Sequence, residues 1–203
     1  MKSVSGSRGQ NQAFVALAII SRELYLATHK AKEVSLIAKN ARALAVRAGD
    51  KVLGFKAITD FIDDLATSTI QLARGINEQA LEISHLAAEL QRKEYGLEQF
   101  DVVLNNKEAT HRESIKSIKE MIEEEVDVAA KVQRKKLNKL ISNLDDIQQE
   151  IRSAGIIALN AKVESAKSPE YQASLDVIAD DILDSTNQIK ERIDRSQSII
   201  KTI

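Results

Sequence analysis

Apolar residues recur at alternating intervals of three and four positions along most of this chain. This spacing places side chains on one stripe of an α-helix and is typical of coiled-coil packing. The pattern predicts a first long helix that ends at Gly49, because glycine takes a left-handed conformation without steric cost. The stripe of this helix is Leu17, Ile20, Leu24, Ala27, Ala31, Val34, Ala38, Ala41, Ala45 and Ala48.

A second helix is predicted to follow, with Asp50 as its N-cap and the polar pair Asn105 and Asn106 at its end. The spacing continues through Gly75 and Gly96 without interruption, so we expect one helix of roughly fifty residues. Its predicted stripe is Ile58, Ile62, Leu65, Thr69, Leu72, Ile76, Gln79, Ile83, Leu86, Leu90, Lys93, Leu97, Phe100 and Leu104.

A third helix is predicted from Thr110, which has capping-box spacing with Glu113. The stripe shifts phase between Val132 and Leu137, which indicates a bend or local unwinding across residues 133–136. The stripe consists of Ile115, Ile118, Ile122, Ala129 and Val132, and then Leu137, Leu140, Leu144, Ile147, Ile151, Ala154, Ala158 and Ala161.

Ser168 and Pro169 predict the start of a fourth helix, with serine as N-cap and proline at the first helical position. The stripe of this helix is predicted to be Leu175, Ile178, Ile182, Ile189, Ile193, Ile200 and Ile203.

Residues 37–66 and 157–186 align without a gap, so that Asn40 falls on Asn160 and Gly49 on Pro169. Two unrelated helix breakers at equivalent positions indicate a chain reversal at both. The fold class expected is therefore all-α, an elongated antiparallel four-helix coiled-coil bundle made of two helical hairpins. Both turns should lie at one end, and the second and third helices should extend beyond the other two at the opposite end.

The expected domain organisation is a disordered tail over residues 1–9 and a single bundle over residues 10–203. Hairpin one would occupy about 10–105 and hairpin two about 110–203. The apolar run at residues 13–20 is shorter than the ~20 residues that a membrane-spanning helix needs, so we assign it to the core and expect no membrane span.

Composition agrees with a bundle and narrows the function classes. Aromatic residues make up only 3% of the chain, and the net charge of −1 provides no field that would attract nucleic acid. The chain contains no cysteine, which suits the cytoplasm.

Candidate chemistry is sparse. Two Glu-x-x-His units occur, at Glu82 and His85 and at Glu108 and His111, but they cannot face each other across one layer of a bundle, so we expect no metal. No phosphate-binding loop or nucleophile–base–acid set is recognisable. We therefore expect a protein without enzymatic activity and without a cofactor.

The residues around both turns resemble the signalling hairpin of bacterial methyl-accepting chemotaxis receptors. In the first copy the resemblance rests on Asn40-Ala41, Arg47-Ala48-Gly49 and Gly54-Phe55, followed by Ile58 and Ile62. In the second it rests on residues 158–161, Glu164, and residues 177–180. The family's tip glutamate is Leu44 in copy one, and its tip glycine is Pro169 in copy two.

The resemblance implies that the chain imitates a receptor dimer with both hairpins in one polypeptide. It implies a signalling or adaptor protein whose turns dock onto the chemotaxis histidine kinase, its coupling protein or receptor arrays. A structural coiled-coil scaffold that self-associates is the alternative, and a monomer is also compatible with the pattern. The partner-binding residues implied are Leu36, Asn40, Arg47, Phe55, Ile58, Ile156, Asn160, Glu164, Lys167, Leu175 and Ile178.

Overall fold

The computed structural model describes residues 3–106, 108 and 110–201, with the side chains of all but 3–12, 50, 51 and 53. The described chain contains four helices and no strand, so the predicted all-α class is confirmed. The helices are α1 (Ser3–Ala48), α2 (Leu53–Asn105), α3 (Arg112–Ser165) and α4 (Gln172–Ile200), and a short 3-10 helix at Gly49–Val52 joins α1 to α2.

Helices that follow one another along the chain run in opposite directions, as the numbering of their paired residues shows. In the contacts between α2 and α3, residues with higher numbers in α2 pair with residues with lower numbers in α3. The same inverse order holds for α1 with α2, where Ser35 contacts Asp63 and Arg42 contacts Asp60. The α2–α3 pairs are Ser68 with Glu150, Glu82 with Lys136, Lys93 with Glu125, and Asp101 with Lys119.

The stripe predicted for α1 is buried at all ten positions, from Leu17 to Ala48. The buried stripe of α3 likewise contains the predicted residues from Leu140 to Ala161. From Leu140 onward α3, like α1, directs toward the core the face that the spacing predicts, and this face becomes alanine-rich toward the turns. The first part of the predicted α3 stripe, Ile115 to Leu137, is not buried, and Ile118 and Val132 are exposed, because the described helices of the body do not enclose this part of α3.

The stripe of α2 differs from the prediction at every second position. The structure buries small residues where larger ones immediately before them were expected, and the larger residues are half-buried at the flank. Small side chains on the central line allow the helix backbones to approach closely, while the larger ones cover the side of the core. The residues affected are Ile58, Leu65, Leu72, Gln79 and Leu86, which give way to Thr59, Ala66, Ala73, Ala80 and Ala87.

In α4 the same exchange occurs once, because Ala179 is buried and Ile178 only half-buried. Ile203 was also predicted for this stripe, and it lies outside the described residues.

Burial repeats along the chain with an offset of 120 residues. Each buried stripe residue from Ile20 to Ala48 in hairpin one has a buried counterpart from Leu140 to Ser168. The stripe from Phe55 to Ala80 matches the buried residues from Leu175 to Ile200 in the same way. The two hairpins thus occupy equivalent places in the bundle, and the molecule has an internal pseudo-twofold relation.

Beyond this body, α2 and α3 continue as a pair. They contain 53 and 54 residues, which at about 1.5 Å per residue gives each a length of about 80 Å. None of the described residues between 91 and 139 is buried, whereas every helix of the body carries a buried stripe. We call this two-helix segment, residues 91–139, the extension.

The helix boundaries depart from the predictions at three places. Helix α1 already includes residues 3–9, expected to be a disordered tail, since adding turns to an existing helix needs no new nucleation. Helix α3 begins at Arg112 rather than Thr110, without a side-chain cap, and the Arg112 guanidinium donates instead to the Leu104 carbonyl that ends α2. Helix α3 is also uninterrupted across residues 133–136.

Candidate docking surface at the helix turns

Gly49 and Pro169 both lie in chain reversals, but the reversals differ in construction. Gly49 has a φ of +63°, which glycine adopts without strain, and a 3-10 turn leads to α2 with Val52 as its N-cap. The predicted N-cap, Asp50, therefore precedes the helix start by three residues, and its side chain lies outside the described set.

Pro169 does not begin α4 as predicted. The amide of Tyr171 donates to the Ser168 carbonyl at 2.9 Å, so Pro169 is the second residue of a tight turn, and α4 begins at Gln172. The fixed φ of proline suits the second position of such a turn as well as the first position of a helix, which is why the sequence pattern did not separate the two.

The two reversals lie side by side at one end of the bundle, which we call the tip. A small core joins them, in which Phe55 from hairpin one packs in a cluster with Leu175 and Ala161 from hairpin two. Gly54 of α2 also lies directly against the Glu164 side chain of α3, and a Cβ at position 54 would overlap its carboxyl group. Two turns distant in sequence therefore form one continuous structure.

Two of the implied partner-binding residues are inside this tip core. Phe55 and Leu175 are each 0% exposed, so their side chains stabilise the tip and present no surface to a partner. Ile58 and Ile178 are half-buried at its edge.

Six of the remaining implied residues are exposed on the outer side of the tip. Leu36 is 61% exposed and its counterpart Ile156 is 63% exposed. Asn40 and Arg47 follow Leu36 along one face of α1, Asn160 follows Ile156 on α3, and Lys167 lies in the turn two residues after α3 ends. We call these six residues the tip surface: Leu36, Asn40, Arg47, Ile156, Asn160 and Lys167.

Glu164 lies beside the tip surface and is oriented by two contacts. Its carboxylate accepts from the Lys167 ammonium at 2.6 Å, and the absence of a side chain at Gly54 leaves it room against α2. Its side chain is only partly exposed, so Glu164 holds Lys167 in place more than it offers a surface of its own.

Several exposed apolar residues near the tip were not in the predicted set. Val46, Leu159, Val163 and Val177 are each more than half exposed. Val163 lies three residues after Asn160, on the same helix face, so helical spacing applied outward from the predicted residues would have identified it.

The described residues offer little other chemistry. No three or more histidine, aspartate or glutamate side chains among them lie close enough together to hold a metal ion. None of the helical segments in the described ranges combines the length and apolar character that crossing a membrane requires. The tip surface thus presents apolar, amide and cationic groups, which suit contact with another protein.

No family model, curated protein or solved structure matches this chain.

Proposed function

We propose that this chain is a non-enzymatic, cytoplasmic docking protein of the chemotaxis-receptor type. In this proposal the tip surface binds the chemotaxis histidine kinase, its coupling protein or the receptors that assemble with them. The bundle holds two binding faces at a fixed separation, as a dimer of separate receptor hairpins would.

The observation that carries the proposal is the matched exposure of the two outer faces. A large apolar side chain at positions 36 and 156, an amide at 40 and 160, and a cation at 47 and 167 recur in the two hairpins, and all six are exposed. Exposed Leu and Ile flanked by polar groups are typical of small docking surfaces. Helices α1 and α3 each pack on α2 and α4, so the two faces point away from each other and could engage two partners.

The core beneath these faces also supports a role in signalling. The stripe from Ala38 to Ala48 in α1, and Ala154, Ala158 and Ala161 in α3, bury little apolar area per residue. A partner that favours a slightly different helix orientation would therefore meet a small opposing free energy at the tip.

The test is a binding measurement with purified kinase and coupling protein from the same organism. The variants Leu36→Glu and Ile156→Glu should each weaken binding, and the double variant should abolish it, because a carboxylate at the centre of an apolar contact is costly to desolvate. Val15→Glu is the matched control, since Val15 is equally exposed but lies on α1 far from the tip.

Failure of the unmodified chain to bind either partner at high micromolar concentration would refute the proposal. Binding that Val15→Glu and the double tip variant weaken equally would also contradict it, because the tip surface would then have no special part.

A further inference from the structure

The extension is the part of the molecule where α2 and α3 are least covered by other helices. In the body, both α1 and α4 pack on this pair. Only α1, which begins at Ser3, continues beside the inner part of the extension, and neither helix reaches its outer end. The exposed apolar residues of α3 in this segment have intervals of three, seven and four positions, which places them on one line. These residues, which we call the extension stripe, are Ile118, Met121, Val128 and Val132.

Charge along α3 changes sign in the middle of this stripe. Residues 120–127 carry five acidic side chains and no basic one, and residues 131–139 carry five basic side chains and no acidic one. The uncharged residues 128–130 separate the two blocks. Glu120, Glu124, Arg134 and Lys135 make no ion pair with any described residue, so they are available to a partner.

We propose that the extension is a dimerisation surface on which a second copy of this chain packs with its α3 antiparallel to the first. An antiparallel pair centred near residue 130 places the acidic block of each copy against the basic block of the other. The arrangement is isologous, so the same favourable contact occurs twice. A parallel pair would instead bring like charges together along the whole contact.

This register also matches the apolar residues. Val128 of one copy lies opposite Val132 of the other on both sides of the twofold axis, and Glu124 lies opposite Lys135 and Lys136. Each extension then supplies the α3 of the other copy with a neighbouring antiparallel helix.

The overlapping area suits a weak, reversible dimer. With the pair centred near residue 130, residues 121–139 of the two copies lie side by side, which is about 28 Å at about 1.5 Å per residue, and two helices side by side are about 20 Å wide. The resulting face of about 560 Å² per copy is smaller than the roughly 800 Å² that each partner contributes to a standard interface. The inference does not depend on the proposed docking function, because the extension is at the end opposite the tip.

Sedimentation of the full chain over a range of concentrations tests the proposal. We expect a reversible dimer, and we expect Val128→Lys to raise its dissociation constant at least tenfold, because the added ammonium would lie opposite the basic block of the other copy. Val177→Lys should leave association unchanged, since Val177 is similarly exposed but lies near the tip, and circular dichroism should show equal helix content in all three proteins.

Charge exchange then tests the antiparallel register. Glu124→Lys and Lys135→Glu should each weaken the dimer, because each places like charges opposite each other, while the double variant should restore it. A chain that remains monomeric at high micromolar concentration would overturn the inference. So would a dimer that Val128→Lys leaves intact, or single charge variants that the double variant fails to rescue.

Discussion

Ile62 of α2 and Ile182 of α4 occupy equivalent places in the two hairpins, and both are fully buried. The residues around them need not be alike: Ala66 corresponds to Thr186, and Ile76 to Ser196, yet all four are buried. The shared property of the hairpins is therefore the register of the buried positions rather than the residue at each position.

The surfaces of the two hairpins differ more than their cores. At the α1–α4 contact, Arg192 donates to the nearly buried Glu23 carboxylate at 3.0 Å. In the equivalent α2–α3 places, Asn143 stands for Glu23 and Leu72 for Arg192, and the Asn143 amide donates instead to Gln79, two helical turns further along α2, at 3.0 Å. The packing register thus tolerates different chemistry wherever the side chains can still satisfy their hydrogen bonds.

The equivalence of the two hairpins is tested most strongly by truncating the buried isoleucine that each carries at the same position, Ile62 in α2 and Ile182 in α4. Ile62→Ala and Ile182→Ala should each lower the free energy of unfolding by about 3 kcal/mol, because each leaves a cavity in a well-packed layer. Urea denaturation measures both values. If the hairpins are equivalent in energy as well as in geometry, the two losses should agree to within about 1 kcal/mol.

Val177→Ala is the control for this pair, since Val177 is well exposed on α4 and its truncation should change stability by less than about 0.5 kcal/mol. A severe loss at one isoleucine with almost none at the other would show that one hairpin provides most of the stability.

The sequence predicts the stripe of α1, and that of α3 from Leu140 onward, because only one phase of the spacing is apolar there. In α2 two stripes that differ by one residue are both plausible, since Ile58 precedes Thr59 and Leu65 precedes Ala66. The larger side chains favour the stripe that contains Ile58 and Leu65, but the buried stripe is the one that contains Thr59 and Ala66. The choice depends on how closely the other three helices approach, and that distance is a property of the assembled bundle.

Of the residues implied to bind a partner, some are exposed and some are buried, and the difference depends on whether local spacing decides their position. Leu36 and Ile156 are exposed because they lie opposite the buried line of their own helices, which local spacing alone determines. Phe55 and Leu175 are buried because the two turns share one small core. That core joins segments 120 residues apart, and no local pattern reveals it.

The two turns offer a smaller test of the comparison. Gly49 is the only glycine among the described residues with a positive φ, and no residue of the turn at 166–171 has one. Gly49→Ala should therefore lower the free energy of unfolding by about 1 kcal/mol, although nothing obstructs the added methyl group.

Gly75→Ala is the matched control, because position 75 is also open space but lies in the interior of α2. Alanine has the higher helix propensity there, so this variant should raise stability by about 0.5–1 kcal/mol. Calorimetric unfolding of both variants should thus show shifts of opposite sign, and a loss at both would contradict the role given to the left-handed turn.

The smallest expected effect concerns an ion pair that hairpin two lacks. The Lys30 ammonium lies 2.6 Å from the Glu33 carboxylate, while Ser153 takes the place of Glu33 in hairpin two. The hydrogen bond from Lys30 lowers the pKa of Glu33, so the pair stabilises the fold above the unfolded pKa of glutamate. This contribution disappears as the pH falls through the lowered pKa, where Glu33 becomes protonated in the folded state as well.

Lys30→Ala should therefore raise the pKa of Glu33 and cost about 0.3 kcal/mol at neutral pH, the usual size for a pair on one helix surface. Carboxyl NMR titration measures the first effect, and denaturation at neutral and acidic pH measures the second. Lys32→Ala is the control, since Lys32 is exposed and makes no ion pair with any described residue. A stability loss that persists unchanged in acid would have to come from the alkyl chain of Lys30, and the ion pair would then explain none of the difference between the hairpins.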